Sequence, residues 1–205
     1  MVKKYSNKDL LIVFVKNSEL GFVKTRLAKT IGNEKALIIY RALVEKTKEV
    51  VDDLKVHKAI YYSDYIDEYD QFTEDGYSKR LQMGDDLGER MKNTFEAAFN
   101  LGFKKAVIIG SDCWELTSDT IEAAFKGLDE ADFVLGPAKD GGYYLMGMKE
   151  ILPEVFCNKT WSSENVLVDT LIDIERSGKS KVLLPTLRDV DYQEDLPDEL
   201  NSLIQ

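Results

Sequence analysis

Leu10-Leu11-Ile12-Val13-Phe14-Val15 is an unbroken run of apolar, mostly β-branched or aromatic residues. A strand with one wet face alternates apolar and polar side chains. A run without alternation reads instead as a strand covered on both faces, as in the interior of a parallel sheet. The run is far too short to span a bilayer, and no small-residue cleavage pattern comes after it, so a cytoplasmic protein without a membrane span is expected.

Working outward, further strands are expected at Lys58 to Tyr62, within Tyr77 to Met83, at Lys105 to Gly110, Phe133 to Leu135, Tyr143 to Met148 and Lys181 to Leu184. Between them lie helical patterns. Lys16 to Lys24 reads as loop, and Asn33 as the cap of a helix to about Asp52, with Ala36, Leu37, Tyr40, Leu43, Val44 and Thr47 at helical spacing. Asp85-Asp86 opens a helix to about Leu101, its carboxylates suiting the positive helix end. Thr117 caps another that stops before Gly127 or Leu128. Ser162 or Ser163 caps a fourth, carrying Val166, Leu167, Thr170, Leu171 and Ile174 and ending near Gly178. Asp195-Leu196 opens a terminal helix. Alternating strands and helices predict one three-layer α/β domain over residues 1–205, built on a mostly parallel, Rossmann-like sheet.

The net charge of -10 argues against a general nucleic-acid binder. The charge is uneven: residues 1–48 hold 11 Lys/Arg against 4 Asp/Glu, and the rest is strongly acidic. Either helix surfaces of mixed sign explain this, or a basic N-terminal segment meets an anionic ligand while carboxylates elsewhere hold a metal. Cys113 and Cys157 form no CxxC pair and read as free, core-type thiols. His57 is the only histidine, which leaves no His-rich zinc site, and no GxSxG elbow is present.

Six segments could carry chemistry. Glu19 to Leu27 comes directly after the first strand, where open parallel sheets bind ligands. There Gly21 permits a tight turn, Lys24 and Arg26 offer two cations for phosphate, and Thr25 adds a hydroxyl. This is neither a Walker loop nor GxGxxG, and ordinary surface cations are the alternative. In Gln82-Met83-Gly84-Asp85-Asp86-Leu87-Gly88-Glu89-Arg90-Met91, Gly84 could approach a base or sugar and Arg90 could hold a phosphate or brace a carboxylate. On spacing alone, a charged loop entering a helix is the better reading. Asp112, in Gly110-Ser111-Asp112-Cys113 just past a buried strand, can ligate Mg2+ or Mn2+, hard cations that prefer oxygen donors. Asp189 or Asp191, in Leu187-Arg188-Asp189-Val190-Asp191, could complete that site, and a solvated acidic turn reads equally well.

A further segment is Gly136-Pro137-Ala138-Lys139-Asp140-Gly141-Gly142-Tyr143-Tyr144-Leu145-Met146-Gly147. An acid and paired glycines at a strand end suit a site, and a plain Asp-Gly-Gly turn suits the same residues. Trp161-Ser162-Ser163-Glu164 offers an aromatic edge and hydroxyls to a sugar, with Trp161 equally readable as core.

Taken in order, LGFVKTRLA, QMGDDLGERM, IIGSDCWEL, GPAKDGGYYLMG, the Trp-Ser segment and DVDYQEDL resemble one bacterial family, DUF2064, also called radical-SAM/selenodomain-associated transferase 1. It belongs to the GT-A superfamily, and the resemblance covers about Leu10 to Leu196. More distantly the chain is similar to nucleotidyltransferases that make molybdopterin dinucleotide cofactors.

The resemblance implies a GT-A, nucleotide-diphospho-sugar transferase-like fold. It implies a nucleotide over the N-terminal half of the sheet, with Mg2+ or Mn2+ on Asp112 and Asp191. Lys24 and Arg26 fall on the family's KTR phosphate loop. Asp140, Gly141 and Gly142 fall on its DGG element, on the sugar or acceptor side. Asp140 is then the candidate base and Lys24 a candidate catalytic cation. The family usually has Gly-Thr-Asp-x-Pro where this chain has Gly110-Ser111-Asp112-Cys113-Trp114, and Pro-Gly where it has Leu20-Gly21. Trp114 therefore predicts an altered acceptor shape. Gly110 stands where a DxD motif would place its first acid.

The expected activity is glycosyl transfer from a nucleotide sugar to an unknown small-molecule acceptor. The alternatives are nucleotidyl transfer from an NTP to a phosphorylated acceptor, and a non-enzymatic nucleotide-binding or partner protein. A homo-oligomer is left open.

Overall fold

The computed structural model describes residues 8–73, 75–161 and 163–205. Seven strands form one sheet: β1 (Asp9–Val15), β2 (His57–Tyr62), β3 (Ser78–Leu81), β4 (Lys105–Ile109), β5 (Phe133–Pro137), β6 (Tyr143–Met148) and β7 (Lys181–Leu183), in the spatial order β3-β2-β1-β4-β6-β5-β7. The run around Leu11 to Val13 is buried because β1 lies between parallel neighbours, with Val13 opposite both Ile60 and Ile109. All pairings are parallel except those of β6, which runs antiparallel to β4 and β5 because a short turn joins it to β5. This is a mixed, mostly parallel sheet, as the alternation of elements implied.

Among the described residues six α-helices accompany it: α1 (Thr25–Ile31), α2 (Asn33–Asp52), α3 (Leu87–Asn100), α4 (Ser118–Glu130), α5 (Val166–Arg176) and α6 (Asp198–Ser202). Side chains on β1 sort by parity, as a pleat requires. Leu11, Val13 and Val15 pack with Tyr40 and Val44 of α2 and with Ile121 and Leu128 of α4. Leu10 and Ile12 face the other way, toward Met91 and Phe95 of α3 and Ile174 of α5. The result is a sheet between two helical layers. Leu27 of α1, Leu43, Val190 and Leu200 close a third apolar cluster beside the strand ends.

Several expected boundaries move. The loop after β1 ends in a helix of its own, α1, separated from α2 by Gly32, and Asn33 is the first helical residue of α2 rather than its side-chain cap. Helix α4 runs through Gly127 and Leu128 to Glu130, because Leu128 is fully buried and that packing outweighs the weak helix preference of one glycine. Asp86 and Thr117 do cap α3 and α4, accepting from the backbone N–H of Glu89 and Thr120. At α5 the cap position is Asn165, not Ser163, and it makes no side-chain cap bond. Ser162 lies outside the described residues. Asp195 closes a short 3-10 turn by accepting from the Asp191 and Tyr192 amides, and the terminal helix starts beyond Pro197. Cys113 is buried, whereas Cys157 is exposed rather than core, and neither is bridged.

Candidate active site

The carboxyl ends of β1 and β4 lie side by side, and the loops leaving these two strands meet there. After β1 the chain turns through Gly21 and enters α1 at Lys24. Lys24 holds φ 45° and ψ 46°, a left-handed conformation that costs a non-glycine residue about 1 kcal/mol or more. That backbone sends the side chain inward. Its Nζ donates to Asp112 Oδ2 at 3.2 Å and to Asp191 Oδ1 at 3.1 Å. The Lys24 side chain is only 5% exposed, whereas Asp112 is 41% exposed and faces a cavity. Burial works against the ammonium's charge, but the Asp112 and Asp191 carboxylates outweigh it and hold the Lys24 pKa above the ordinary lysine value. Asp112 is held below the ordinary carboxylate range, because the Lys24 ammonium outweighs the loss of water around a carboxylate recessed in the cavity.

Asp191 reaches this point because the chain after β7 keeps running beside the sheet. Ala138 and Leu187 form a parallel bridge, and Lys139 N–H donates to Leu187 C=O at 3.0 Å. Val190 N–H then donates to Asp112 C=O at 3.0 Å, fixing the late segment to the end of β4. Arg26 Nη1 donates to the other Asp191 oxygen at 2.8 Å. Asp189 lies one step back, with Oδ1 buried and without a hydrogen-bond partner among the described residues. Burial, with the Asp112 and Asp140 carboxylates beside it, pushes the Asp189 carboxyl up to about 8.

These groups line a cavity of about 480 Å³ over the strand ends, a volume within the usual range for small-molecule sites. Lys24, Thr25, Arg26, Asp112, Asp140, Gly142 and Asp191, all expected at the site, line it. Asp140 stands at the exposed rim, with Oδ1 accepting from Gly142 N–H at 2.9 Å, which leaves Oδ2 toward other partners.

Other expected residues shape the surroundings without lining the cavity. Gly21 and Gly141 sit in turns at φ 84° and 91°. A Cβ on Gly141 would lie 2.0 Å from the Glu164 carbonyl oxygen, so this glycine lets the DGG turn rest on the segment before α5. Gly84 takes φ 142°, and Arg90 Nε donates to its carbonyl at 3.0 Å. Arg90 thus braces the loop before α3. Trp114, expected to alter the acceptor side, packs instead in the apolar cluster of Leu27 and Leu43, with Lys46 Nζ 5.8 Å from its ring centroid.

Tyr40 carries no sequence signal of a role at the site. It sits on α2 at core spacing, but its hydroxyl accepts from Lys16 N–H at 2.7 Å and lies 3.3 Å from Ser111 Oγ. It ties the loop after β1 to the end of β4, and burial pushes its phenol up to about 12. No periodicity separates such a tyrosine from a purely apolar one.

The profile of a family described as uncharacterized proteins conserved in bacteria, DUF2064, matches residues 47–163, more than half of the chain. The chain belongs to the DUF2064 family. This DUF2064 chain is 32% identical to a Desulfovibrio desulfuricans G20 protein provisionally named a nucleotide-diphospho-sugar transferase, with TM-score 0.82, covering 91% of this chain and 83% of that one. It is also similar in fold to the inositol-1-phosphate CTP transferase of T. maritima, at 13% identity and TM-score 0.58, over 97% of this chain and 95% of that one. The 4-diphosphocytidyl-2C-methyl-D-erythritol synthase of Anaerococcus prevotii is similar at 10% identity and TM-score 0.55, over 92% and 94% of the two chains. These place the DUF2064 chain in the nucleotide-diphospho-sugar and nucleotidyl transferase fold family. No curated protein matches it. Among the described residues no helix is long and apolar enough to cross a membrane.

Proposed function

We propose that the chain forms one nucleotide-dependent transferase domain whose diphosphate-binding centre is Lys24, Arg26, Asp112 and Asp191. The observation that carries this reading is the Lys24 ammonium between two carboxylates at 3.2 and 3.1 Å, at the carboxyl end of a parallel sheet. A lysine and a carboxylate pair that close can bind a diphosphate and its counter-cation together.

The donor set suits a hard divalent ion. Asp112 and Asp191 already share one cation, the Lys24 ammonium, and Asp189 adds an unpaired buried oxygen beside them. Among the described residues no group of three or more acids, histidines or cysteines is arranged to hold a metal. A two-carboxylate site completed by phosphate oxygens and water is the form that fits. When bound there, Mg2+ or Mn2+ would neutralise charge on the phosphates of the leaving group.

The protein's own groups do the rest. Lys24 shifts its hydrogen bonds from the carboxylates to phosphate oxygens and stabilises the charge that grows on the leaving oxygen. Arg26 supports it from the rim. In glycosyl transfer, the reading favoured by the Desulfovibrio relative's name, an acceptor hydroxyl attacks the anomeric carbon. The bond from that carbon to the diphosphate oxygen breaks, the nucleoside diphosphate leaves, and Asp140 Oδ2 takes the acceptor's proton. Nucleotidyl transfer is the second reading. It is favoured by the missing first acid of DxD at Gly110, and its phosphate acceptor needs no base.

Melting curves with Mn2+ and a panel of nucleotides test this. A UDP- or GDP-sugar should stabilise the protein and release the nucleoside diphosphate when a suitable acceptor is added. Preference for an NTP, with pyrophosphate released, selects the second reading. No response to any nucleotide refutes both.

A further inference from the structure

The cavity has two ends of opposite character. Its charged groups, Lys16, Lys24, Arg26, Asp112, Asp140, Asp189 and Asp191, gather at the strand ends. Its other end runs down the sheet face between α3 and α5, lined by Phe14, Met91, Tyr143, Met146, Trp161 and Val166. Met91, Met146 and Val166 form a buried floor, while Phe14, Tyr143 and Trp161 are part-exposed walls. Trp161 is held against the first turn of α3. A Cβ on Gly88 would lie 2.2 Å from its ring, so the indole rests on a residue that has no side chain to obstruct it. Two methionines and three aromatic rings make a soft, adaptable apolar surface. We propose that this chamber holds an aromatic or alicyclic body of the acceptor, whose nucleophilic end then lies beside Asp140 and the Lys24 centre. The assignment rests on the transferase reading above and adds the acceptor's chemical class to it.

The nucleobase is the competing occupant, and the chamber's chemistry argues against it. Among the described residues the chamber's walls carry no charged side chain, and the Tyr143 hydroxyl and Ser163 are too few polar side-chain groups to replace the hydrogen bonds that a base's polar edge makes in water. On the α3 side the nearby donors Gln82 Nε2 and Arg90 Nε are already engaged. Gln82 Nε2 donates to both Val15 C=O and Tyr61 C=O, at 3.2 and 2.8 Å, and Arg90 Nε to Gly84 C=O. A polyol such as a free sugar meets the same loss. A hydrocarbon or aryl group gains by leaving water.

The test uses the full chain carrying Trp114→Phe, so that Trp161 is the only tryptophan, titrated with para-nitrophenol while indole fluorescence is followed. Melting with Mn2+ and UDP-glucose or CTP is recorded in parallel. The expected result is saturable quenching with a dissociation constant of about 1 mM or tighter, as suits so small a ligand. It persists at saturating nucleotide, and myo-inositol does not reproduce it. Leu87, at the mouth of the chamber and 42% exposed, can take a charge without disturbing the core. Leu87→Glu should weaken para-nitrophenol about tenfold. Absence of saturable quenching, equal binding of myo-inositol, or indifference to Leu87→Glu overturns the proposal. Displacement of para-nitrophenol by nucleotide makes the chamber the base subsite and overturns it too. Quenching with no melting response to any nucleotide refutes the transferase reading, and the acceptor assignment falls with it.

Discussion

Lys24→Met removes the ammonium and keeps most of the stem. In the wild type Nζ lies 3.2 and 3.1 Å from two carboxylates, on a side chain 5% exposed. Each contact is worth about 5 kcal/mol of attraction at an effective dielectric constant near 20, before the cost of burying the charge is subtracted. Deleting one partner of a buried ion pair usually costs about 3–5 kcal/mol, because the remaining charge is stranded. Here Asp112 opens onto the cavity and Arg26 still holds Asp191, so the loss falls at or just below the lower end, about 2–3 kcal/mol.

For a chain of this length that is a melting point about 5–10 °C lower. The loss should hold across neutral pH. The raised Lys24 pKa keeps its contribution until pH climbs past the ordinary lysine range, and the lowered Asp112 pKa keeps its own until pH falls below the ordinary carboxylate range. Millimolar Mn2+ should restore more stability to the variant than it adds to wild type, since the carboxylates no longer have the ammonium between them. Differential scanning fluorimetry with and without Mn2+ reads all of this. A variant that melts with wild-type protein and responds no more strongly to Mn2+ refutes the idea that Lys24 is the counter-cation of this site.

Asp189 should make stability fall as pH rises. Its carboxyl, pushed up to about 8, keeps a proton that the unfolded chain gives up near pH 4, so the folded state loses ground between those values. Asp189→Asn should match wild type near pH 4 and exceed it by about 1–3 kcal/mol at pH 9, in urea titrations at each pH. Tyr40→Phe removes a hydroxyl bonded to Lys16 N–H and close to Ser111. It should cost about 1–2 kcal/mol and weaken nucleotide binding, measured calorimetrically, by loosening the loop that carries Lys24. Gly141→Ala combines a positive φ with a Cβ 2.0 Å from the Glu164 carbonyl oxygen, and should lower the melting point by about 5 °C or more.

The sheet was legible because β1 is apolar on both faces and because strands and helices alternate in clear runs. The antiparallel entry of β6 reflects a turn too short for a crossover. The helix α1 was not legible, since a seven-residue helix between Gly21 and Gly32 offers almost no apolar period. Its consequence was larger than its size, because the left-handed Lys24 at its start aims the ammonium into the site. Asp112 was visible just past a strand and Lys24 and Arg26 in the loop after β1, whereas Asp191 was singled out from Asp189 only by the family resemblance. That they meet depends on the chain beyond β7 running past Leu187 to Val190, a long-range register that no local pattern encodes. The apolar end of the cavity was hidden for the opposite reason. Phe14, Met91 and Met146 follow core spacing whether they face other core residues or an opening.

The central claim is that nucleotide phosphates and a divalent ion bind together at Lys24, Asp112 and Asp191. The most direct measurement is the melting point of wild type and Asp112→Asn over a matrix of UDP-glucose, GDP-mannose and CTP, each with and without Mn2+. A shift of several degrees is predicted for at least one nucleotide, dependent on Mn2+ and largely lost in Asp112→Asn. A shift of equal size in both proteins, or none in either, contradicts the claim.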